Sequence, residues 1–223
     1  MQLIYNHKAN LTKEEIIKYE KKLRKYNVIV LPSTCFLPFF NKGKYILGSQ
    51  DISEFEESNR TGEINGKSLQ SLNVKYCLVG HSERRIHNKE TNESLINKLN
   101  NCKKYDIIPL YCIGEKNNVN ELNEQVDLYL NNVNTNKVHI IYEPVKNIGS
   151  NEINIEEIKN NINYIATYIK EKYNKDVNLI YGGGVNINNI EQLKNIKEID
   201  GLILSRDALD INNLDKIYKI TNS

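Results

Sequence analysis

The sequence has almost no excess of charge of either sign and no long apolar run. Its 223 residues include 30 Lys and Arg against 28 Asp and Glu, a net charge of only +2. This balance provides no general attraction to nucleic acid or to a membrane surface, so neither partner is expected. The longest apolar stretches have the length of a strand, and residues 1–9 lack the apolar region of a signal peptide. We therefore expect a cytoplasmic protein without a membrane-spanning segment.

Paired cysteine motifs are also lacking. The four cysteines, Cys35, Cys77, Cys102 and Cys112, form no CxxC pattern, and Cys77 and Cys112 lie in apolar segments. The simplest interpretation is reduced, mostly buried thiols in a cytosolic protein.

Short apolar runs alternate with helical periods along the whole chain. The predicted strands are residues 3–5, 28–31, 45–48, 76–80, 107–112, 138–142, 177–181 and 201–204. The clearest helix carries isoleucines at 155, 158, 162, 165 and 169, a spacing that produces one apolar face. Residues 36–40, which follow the second strand, predict at most a turn or two.

This alternation predicts parallel strands joined by crossover helices. Eight such units fit a (β/α)8 barrel with shortened helical units, trimmed in the first, second and fifth, because a typical barrel has roughly 250 residues. A doubly wound open sheet remains possible, although no GxGxxG motif follows the first strand. No linker, repeat or low-complexity tail divides the chain, so residues 1–223 are expected to form one domain.

Polar groups follow several predicted strands at their carboxyl ends. They are Asn6, His7 and Lys8 after the first strand, His81 and Glu83 after the fourth, Glu143 after the sixth, glycines 182–184 after the seventh, and Ser205 and Arg206 after the eighth. A carboxylate, an imidazole and an ammonium group can together abstract a proton and stabilise the charge that develops. Glycine-rich turns offer backbone amides to an anion such as phosphate. Each feature alone has a structural explanation, and His7, His87 and His139 are assigned one, but their coincidence at one edge favours a proton-transfer site.

Four segments resemble the triosephosphate isomerases, in the order and nearly the spacing of that family. They are TGEINGKSLQSLNVKYCLVGHSERR (61–85), PLYCIGE (109–115), YEPVKNIG (142–149) and YGGGVN (181–186). The resemblance extends over almost the whole chain. It implies a TIM barrel that interconverts dihydroxyacetone phosphate and D-glyceraldehyde 3-phosphate through an enediolate. It implies no metal or cofactor, since the proton moves within one substrate.

The resemblance also implies roles for individual residues. Glu143 would move the proton between C1 and C2, and His81 would act as a neutral imidazole that polarises the carbonyl. This family is a well-known example of such tuning of pKa values, and these roles are what the resemblance implies. Lys8 and Asn6 would hold the substrate oxygens, and Glu83 would lie near Lys8.

The residues expected to bind the phosphate depart in part from the family pattern. They are Gly149 in the lid, Gly183, Gly184, Ser205 and Arg206, with Tyr181 in support. Gly184 stands where the family usually has a serine, and Ser205-Arg206 stand where it usually has two glycines. We expect weaker closure of the lid, so Gly184→Ser should raise kcat/KM modestly.

The resemblance further implies a homodimer. Residues 50–64 keep the full length of a loop that, in relatives, inserts into the partner subunit. Thr61 would then lie near Lys8 of the partner subunit, and Glu63 and Arg84 would pair across the interface.

Two alternatives to the triose-phosphate isomerase stay open. One is a non-catalytic dimeric barrel that keeps phosphate affinity, and the other is an enzyme whose Arg206 meets a different anion. Loss of catalysis should remove Glu143 or His81 first, and both are present.

Overall fold

Eight parallel strands close into a barrel in the computed structural model, which describes residues 1–56, 59–116, 118–135, 138–147 and 153–222. The strands are β1 (Gln2–Asn6), β2 (Ile29–Leu31), β3 (Ile46–Ser49), β4 (Tyr76–Val79), β5 (Ile108–Ile113), β6 (Val138–Tyr142), β7 (Val177–Tyr181) and β8 (Gly201–Leu204). Each strand pairs with its neighbours in chain order, and β1 pairs with β8 from Gln2↔Gly201 to Tyr5↔Leu204. The predicted fold class is confirmed.

The residues of the strands alternate between two cores, because successive side chains of a strand point to opposite faces. One core fills the inside of the barrel, as layers of branched side chains do in this fold. Its buried members are Ile4, Ile29, Leu31, Leu78, Leu110, Cys112, Ile141, Ile180 and Ile203. The other core lies between the strands and the helices and contains the intervening residues, such as Leu3 and Tyr5 of β1.

Helices surround the barrel. They are α1 (Lys13–Leu23), α2 (Gly66–Ser71), α3 (Ser82–His87), α4 (Asn92–Lys104), α5 (Asn120–Asn132), α6 (Ile155–Tyr173), α7 (Ile190–Lys194), α8 (Arg206–Leu209) and α9 (Leu214–Asn222). The predicted isoleucine stripe packs α6 onto the barrel, with Ile158, Ile162, Ile165 and Ile169 fully buried. No helix of the described ranges is both long and apolar enough to cross a membrane.

The helical units differ in length, although not entirely as expected. The second unit has only a 3₁₀ helix, Thr34–Phe39, which contains Pro38 and agrees with the prediction of a turn or two. The first and fifth units, where trimming was also expected, have regular helices of 11 and 13 residues. Short helices occur instead in the third and seventh units, where α2 has 6 residues and α7 has 5.

All four cysteines lie within the described ranges and are free thiols. Cys77, Cys102 and Cys112 are buried, whereas Cys35 is exposed.

A buried cluster of four charged residues ties the segment after β3 to α3 and α4. Lys98 Nζ lies 2.6 Å from Asp51 Oδ1 and 2.5 Å from Glu90 Oε1, and Arg84 Nη2 lies 2.8 Å from Asp51 Oδ2. Burial raises the pKa of Asp51 even beside Lys98. Burial acts the same way at Glu90, but the bonds from Lys98 and Arg84 outweigh it and lower the pKa of Glu90. Arg84, which we expected to pair with Glu63 of a second subunit, thus bonds to carboxylates of its own chain.

Candidate active site

A cavity of about 260 Å³ opens at the carboxyl ends of the strands. Six of the predicted site residues line it: Lys8, His81, Glu143, Gly184, Ser205 and Arg206. They follow β1, β4, β6, β7 and β8, so the barrel brings together groups that are up to 198 positions apart in the chain. This is the end at which (β/α)8 barrels carry their active sites.

Glu143 places a buried carboxylate at the wall of this cavity. The residue follows β6, and its backbone N–H donates to Ile113 O at 2.8 Å. Its Oε2 lies 3.2 Å from His81 Nε2 but has no aligned hydrogen-bond partner among the described residues. Burial raises the pKa of Glu143, while the nearby His81 and Lys8 oppose that effect. A carboxylate with a raised pKa and an unsatisfied oxygen is suited to accept a proton.

Gly182 makes room for that carboxylate. A Cβ atom at this position would lie 2.4 Å from Glu143 Oε1 and 2.5 Å from Ile203 Cγ2. Any side chain here would therefore displace the carboxylate.

His81 is fixed in one orientation by the start of α3. It is the N-cap residue of this helix, and its Nδ1 accepts the backbone N–H of Glu83 at 3.3 Å. An accepting Nδ1 carries no proton, so the ring proton of the neutral imidazole lies on Nε2. Nε2 is the nitrogen that faces Glu143.

Lys8 has a left-handed backbone, with φ +50°, that its surroundings hold in place. Asn6 Oδ1 accepts the Lys8 N–H at 3.0 Å, while Ser33 Oγ and Gln50 Nε2 donate to Lys8 O at 2.6 and 2.8 Å. Such a conformation costs roughly 1–3 kcal/mol in a non-glycine residue and persists where neighbours enforce it. The ammonium group of Lys8 pairs with Glu83 Oε1.

This pairing decides the direction in which the pKa of Glu83 shifts. Its partial burial raises the pKa of its carboxyl, but the hydrogen bond and charge of Lys8 outweigh burial, so the pKa is lowered overall. Glu83 is thus held as a carboxylate, which keeps Lys8 in position.

Gly184, which follows β7, also lines the cavity. It has a left-handed backbone with φ +66°, and its carbonyl accepts from Asn186 Nδ2 at 3.1 Å and from Asn189 Nδ2 at 3.0 Å. A residue with a Cβ atom is strained in this region by roughly 1–2 kcal/mol. That Gly184→Ser raises kcat/KM stays a prediction, and this strain would offset part of what a new hydroxyl contributes.

Ser205 is the N-cap residue of α8, and Arg206 is the first residue of that helix. Ser205 is half-buried, Arg206 is exposed, and both line the cavity. The next residue, Asp207, also lines the cavity, and its Oδ2 accepts the backbone N–H of Ile187 at 2.7 Å.

The remaining predicted residues lie elsewhere. Within the described ranges the cavity is lined by Gly182 and Gly184 but not by Gly183, where a Cβ atom would lie 2.7 Å from Tyr181 Oη. Tyr181 Oη accepts from Asn147 Nδ2 at 3.0 Å. Thr61 is exposed on the segment between β3 and α2. Gly149 lies outside the described residues.

The histidines that were assigned a structural role lie away from the cavity lining in the described part of the chain. His7 is buried against Tyr19, with ring centroids 4.4 Å apart, and burial lowers its pKa to about 3. His139 Nδ1 lies 3.3 Å from Asn178 Oδ1 on the neighbouring strand, and His87 is exposed.

The sequence assigned no individual role to several residues that line the cavity, among them Asn10, Gly182, Asn186 and Asp207. The triple glycine contained a signal for Gly182. The position of Asp207, directly after Ser205-Arg206, was a weak signal, and the two asparagines offered none in a chain rich in asparagine.

The fold and the cavity together define a class of protein: a (β/α)8 barrel that brings a buried carboxylate, an imidazole and a lysine together at the carboxyl ends of its strands. In the described ranges, no group of three or more His, Cys, Asp or Glu side chains is placed to hold a metal ion. Comparison with known proteins gives the family. The sequence profile described as triosephosphate isomerase matches residues 1–221, and the chain belongs to that family.

Individual relatives agree with this assignment. The chain is similar to the triosephosphate isomerase of Mesomycoplasma hyopneumoniae strain 7448, with 36% identity over 84% of this chain and 81% of the relative. It is 33% identical to that of Mycoplasmopsis agalactiae, over 100% of this chain and 93% of the relative. The enzyme of Buchnera aphidicola from Cinara cedri is 30% identical, over 99% of this chain and 98% of the relative. The chain is thus an isomerase whose family reaction belongs to glycolysis, and nothing in the described structure favours a non-catalytic barrel.

Proposed function

We propose that Glu143, His81 and Lys8 carry out the interconversion of dihydroxyacetone phosphate and D-glyceraldehyde 3-phosphate in this chain. One observation supports this proposal above the others. The buried Glu143 Oε2 lies 3.2 Å from the ring nitrogen His81 Nε2, at the wall of the cavity that Lys8 also lines. This separation would allow a base and an electrophile to act on adjacent carbon and oxygen atoms of one small substrate.

In the proposed mechanism, Glu143 removes a proton from C1 and the C2 carbonyl becomes the oxyanion of an enediolate. His81 Nε2–H donates a hydrogen bond to the substrate oxygens, and the Lys8 ammonium stabilises the negative charge that develops on them. Asn6 contributes by holding the Lys8 backbone. His81 gives its Nε2 proton to the oxygen on C2 and takes the hydroxyl proton from the oxygen on C1, so that the carbonyl moves to C1. Glu143 then returns its proton to C2, which leaves the enzyme unchanged.

The phosphate group is proposed to bind where the residues that follow β7 and β8 line the cavity. Gly184, Ser205 and Arg206 are among these residues, and the guanidinium of Arg206 can form charge-assisted bonds with phosphate oxygens. Gly183 and Tyr181 would support this end by packing. Gly149 of the lid is proposed to add its amide.

A coupled assay with purified protein and D-glyceraldehyde 3-phosphate tests the assignment of the base. Glu143→Gln keeps the size of the side chain but removes its basicity, so kcat should fall by about 10²–10⁴-fold, as for other positioned general bases. The matched control is Glu20→Gln, because Glu20 of α1 is also buried but bonds to Arg24, directly after that helix. The control should keep normal turnover. Near-normal turnover of Glu143→Gln would overturn the assignment.

We further propose that the protein acts as a homodimer in the cytoplasm. Thr61, on the segment between β3 and α2, supports a dimer because it is exposed in the single chain and is therefore accessible to a second subunit.

A further inference from the structure

We infer that Asp207 is a positioning residue that sets how tightly the cavity binds the phosphate group. This inference rests on the proposed function, since it takes the phosphate to bind at the end of the cavity formed by the segments after β7 and β8.

Asp207 joins these two segments. Its Oδ2 accepts the backbone N–H of Ile187 at 2.7 Å, across 20 positions of the sequence. Ile187 belongs to the segment after β7, and Asp207 lies in α8, one residue beyond Arg206. The two segments that would enclose the phosphate are therefore linked by a hydrogen bond from a neutral donor to a charged acceptor, which is stronger than a bond between neutral groups.

The segment that Asp207 holds is itself ordered around Gly184. Asn186 and Asn189 both donate to the Gly184 carbonyl, at 3.1 and 3.0 Å, which fixes the peptide group between Gly184 and Val185. Because a peptide group is planar and trans, the Val185 N–H points away from that carbonyl. Gly184 and Val185 both line the cavity. A shift of Ile187 would be transmitted to this peptide group through only two intervening residues.

The charge of Asp207 and its hydrogen bond have opposite effects on phosphate binding. A carboxylate in the lining of a phosphate site repels the anion, so a role in electrostatic attraction is excluded for it. The carboxylate oxygen that bonds to Ile187 instead stabilises the arrangement of backbone groups at this end. The neighbouring Arg206 supplies a positive charge that offsets the negative one.

Two substitutions separate the hydrogen bond from the charge. Asp207→Asn keeps a carbonyl oxygen that can accept from Ile187 but removes the charge, whereas Asp207→Ala removes the acceptor as well. The matched control is Asp200→Ala. Asp200 Oδ2 accepts the backbone N–H of Leu179 at 2.8 Å, across 21 positions. This bond also joins β7 to the segment around β8. Asp200 precedes β8, however, so it lies at the end of the barrel opposite the cavity.

The expected results differ for the three variants. Asp207→Ala should raise KM and the inhibition constant of inorganic phosphate by about tenfold, with kcat nearly unchanged, because it removes binding that is common to the ground state and the transition state. Asp207→Asn should stay within about threefold of the parent protein in both constants, or bind phosphate somewhat more tightly. Asp200→Ala should lower Tm by an amount similar to Asp207→Ala and leave both constants unchanged.

Two results would overturn the inference. One is an Asp207→Ala protein whose phosphate affinity equals that of the parent, with only Tm reduced as in Asp200→Ala. The other is tighter phosphate binding by both Asp207 variants, which would make the residue a repulsive charge and nothing more. Calorimetric titration with inorganic phosphate tests the role of Asp207 even in the absence of turnover. Failure of the parent protein in the isomerase assay would instead count against the proposed function.

Discussion

Glu143 lowers the stability of the folded protein at neutral pH, because its burial favours the protonated carboxyl. When a pKa is higher in the folded state than in the unfolded state, the folded state binds more protons at pH values between the two. The free energy of unfolding then falls as the pH rises through that interval. The same group that is proposed to accept the substrate proton is therefore a source of instability once it is ionised.

This linkage makes a prediction about the neutral variant. Glu143→Gln should raise Tm near pH 7, where the carboxylate is ionised in the unfolded chain, and should give no such gain near pH 3, where both states carry the proton. Thermal unfolding followed by circular dichroism at the two pH values measures the difference.

Glu83 provides a control of opposite sign. Its pKa is lowered overall by Lys8, against the effect of burial, so its stabilisation is present above the unfolded pKa and is lost as the pH falls. Glu83→Gln should accordingly lower Tm near pH 7, by a small amount because this carboxylate is 44% exposed. A Glu143→Gln protein with reduced Tm at both pH values would contradict the linkage argument.

At the scale of secondary-structure elements, the buried charge cluster connects α3 and α4 to the segment after β3. Removing one member leaves the others without full compensation in a region of low dielectric constant. Lys98→Met keeps the length of the side chain but removes its charge beside Asp51 and Glu90. It should reduce the free energy of unfolding by about 3–5 kcal/mol, the usual effect of breaking a buried ion pair.

Chemical denaturation with urea measures this effect, with Lys170→Met as the matched control. Lys170 pairs with Asp176 at 2.9 Å, but its side chain is 57% exposed and that of Asp176 is 94% exposed. Such a pair contributes at most about 1 kcal/mol. Equal losses in the two variants would show that burial does not strengthen the cluster.

Most elements of the fold could be predicted from the sequence because each strand is a short apolar run and several helices carry an apolar stripe. The bounds of β6, β7 and β8 agree with the prediction, whereas β3 is shifted by one residue to Ile46–Ser49. Tyr45 precedes this strand but is buried against Phe40, with ring centroids 5.5 Å apart. A buried aromatic residue next to a strand is indistinguishable from a strand residue in the sequence alone.

A residue of the candidate site could be predicted from the sequence only where its position at the end of a strand is enough to bring it to the cavity. Lys8, His81 and Glu143 each lie one or two residues after a strand, so the barrel topology already brings them to one end. The contribution of Gly182 depends on the Glu143 carboxylate beside it, and that of Asp207 depends on Ile187, 20 positions away. Contacts between such distant residues leave no periodic pattern in the sequence.

At the scale of the whole molecule, a homodimer is the main proposal. Light scattering at the concentration of the activity assay should give twice the mass of one chain. Thr61→Arg places a large charge on the exposed segment between β3 and α2, so it should shift the protein toward monomer and reduce activity. Ser68→Arg, on the exposed surface of α2, is the matched control and should stay dimeric. An active monomer of the parent protein would contradict the proposal.

The pairing of β1 with β8 has a consequence for biosynthesis. Tyr5 and Leu204 are register partners although nearly the whole chain lies between them. While the chain is still being translated, β1 lacks its neighbour β8, and the growing sheet exposes unpaired backbone groups along two edges. Such edges bind other extended chains, and contacts of high sequence separation form slowly. The two edges therefore stay open until Gly201–Leu204 has left the ribosome, after which ring closure removes both at once.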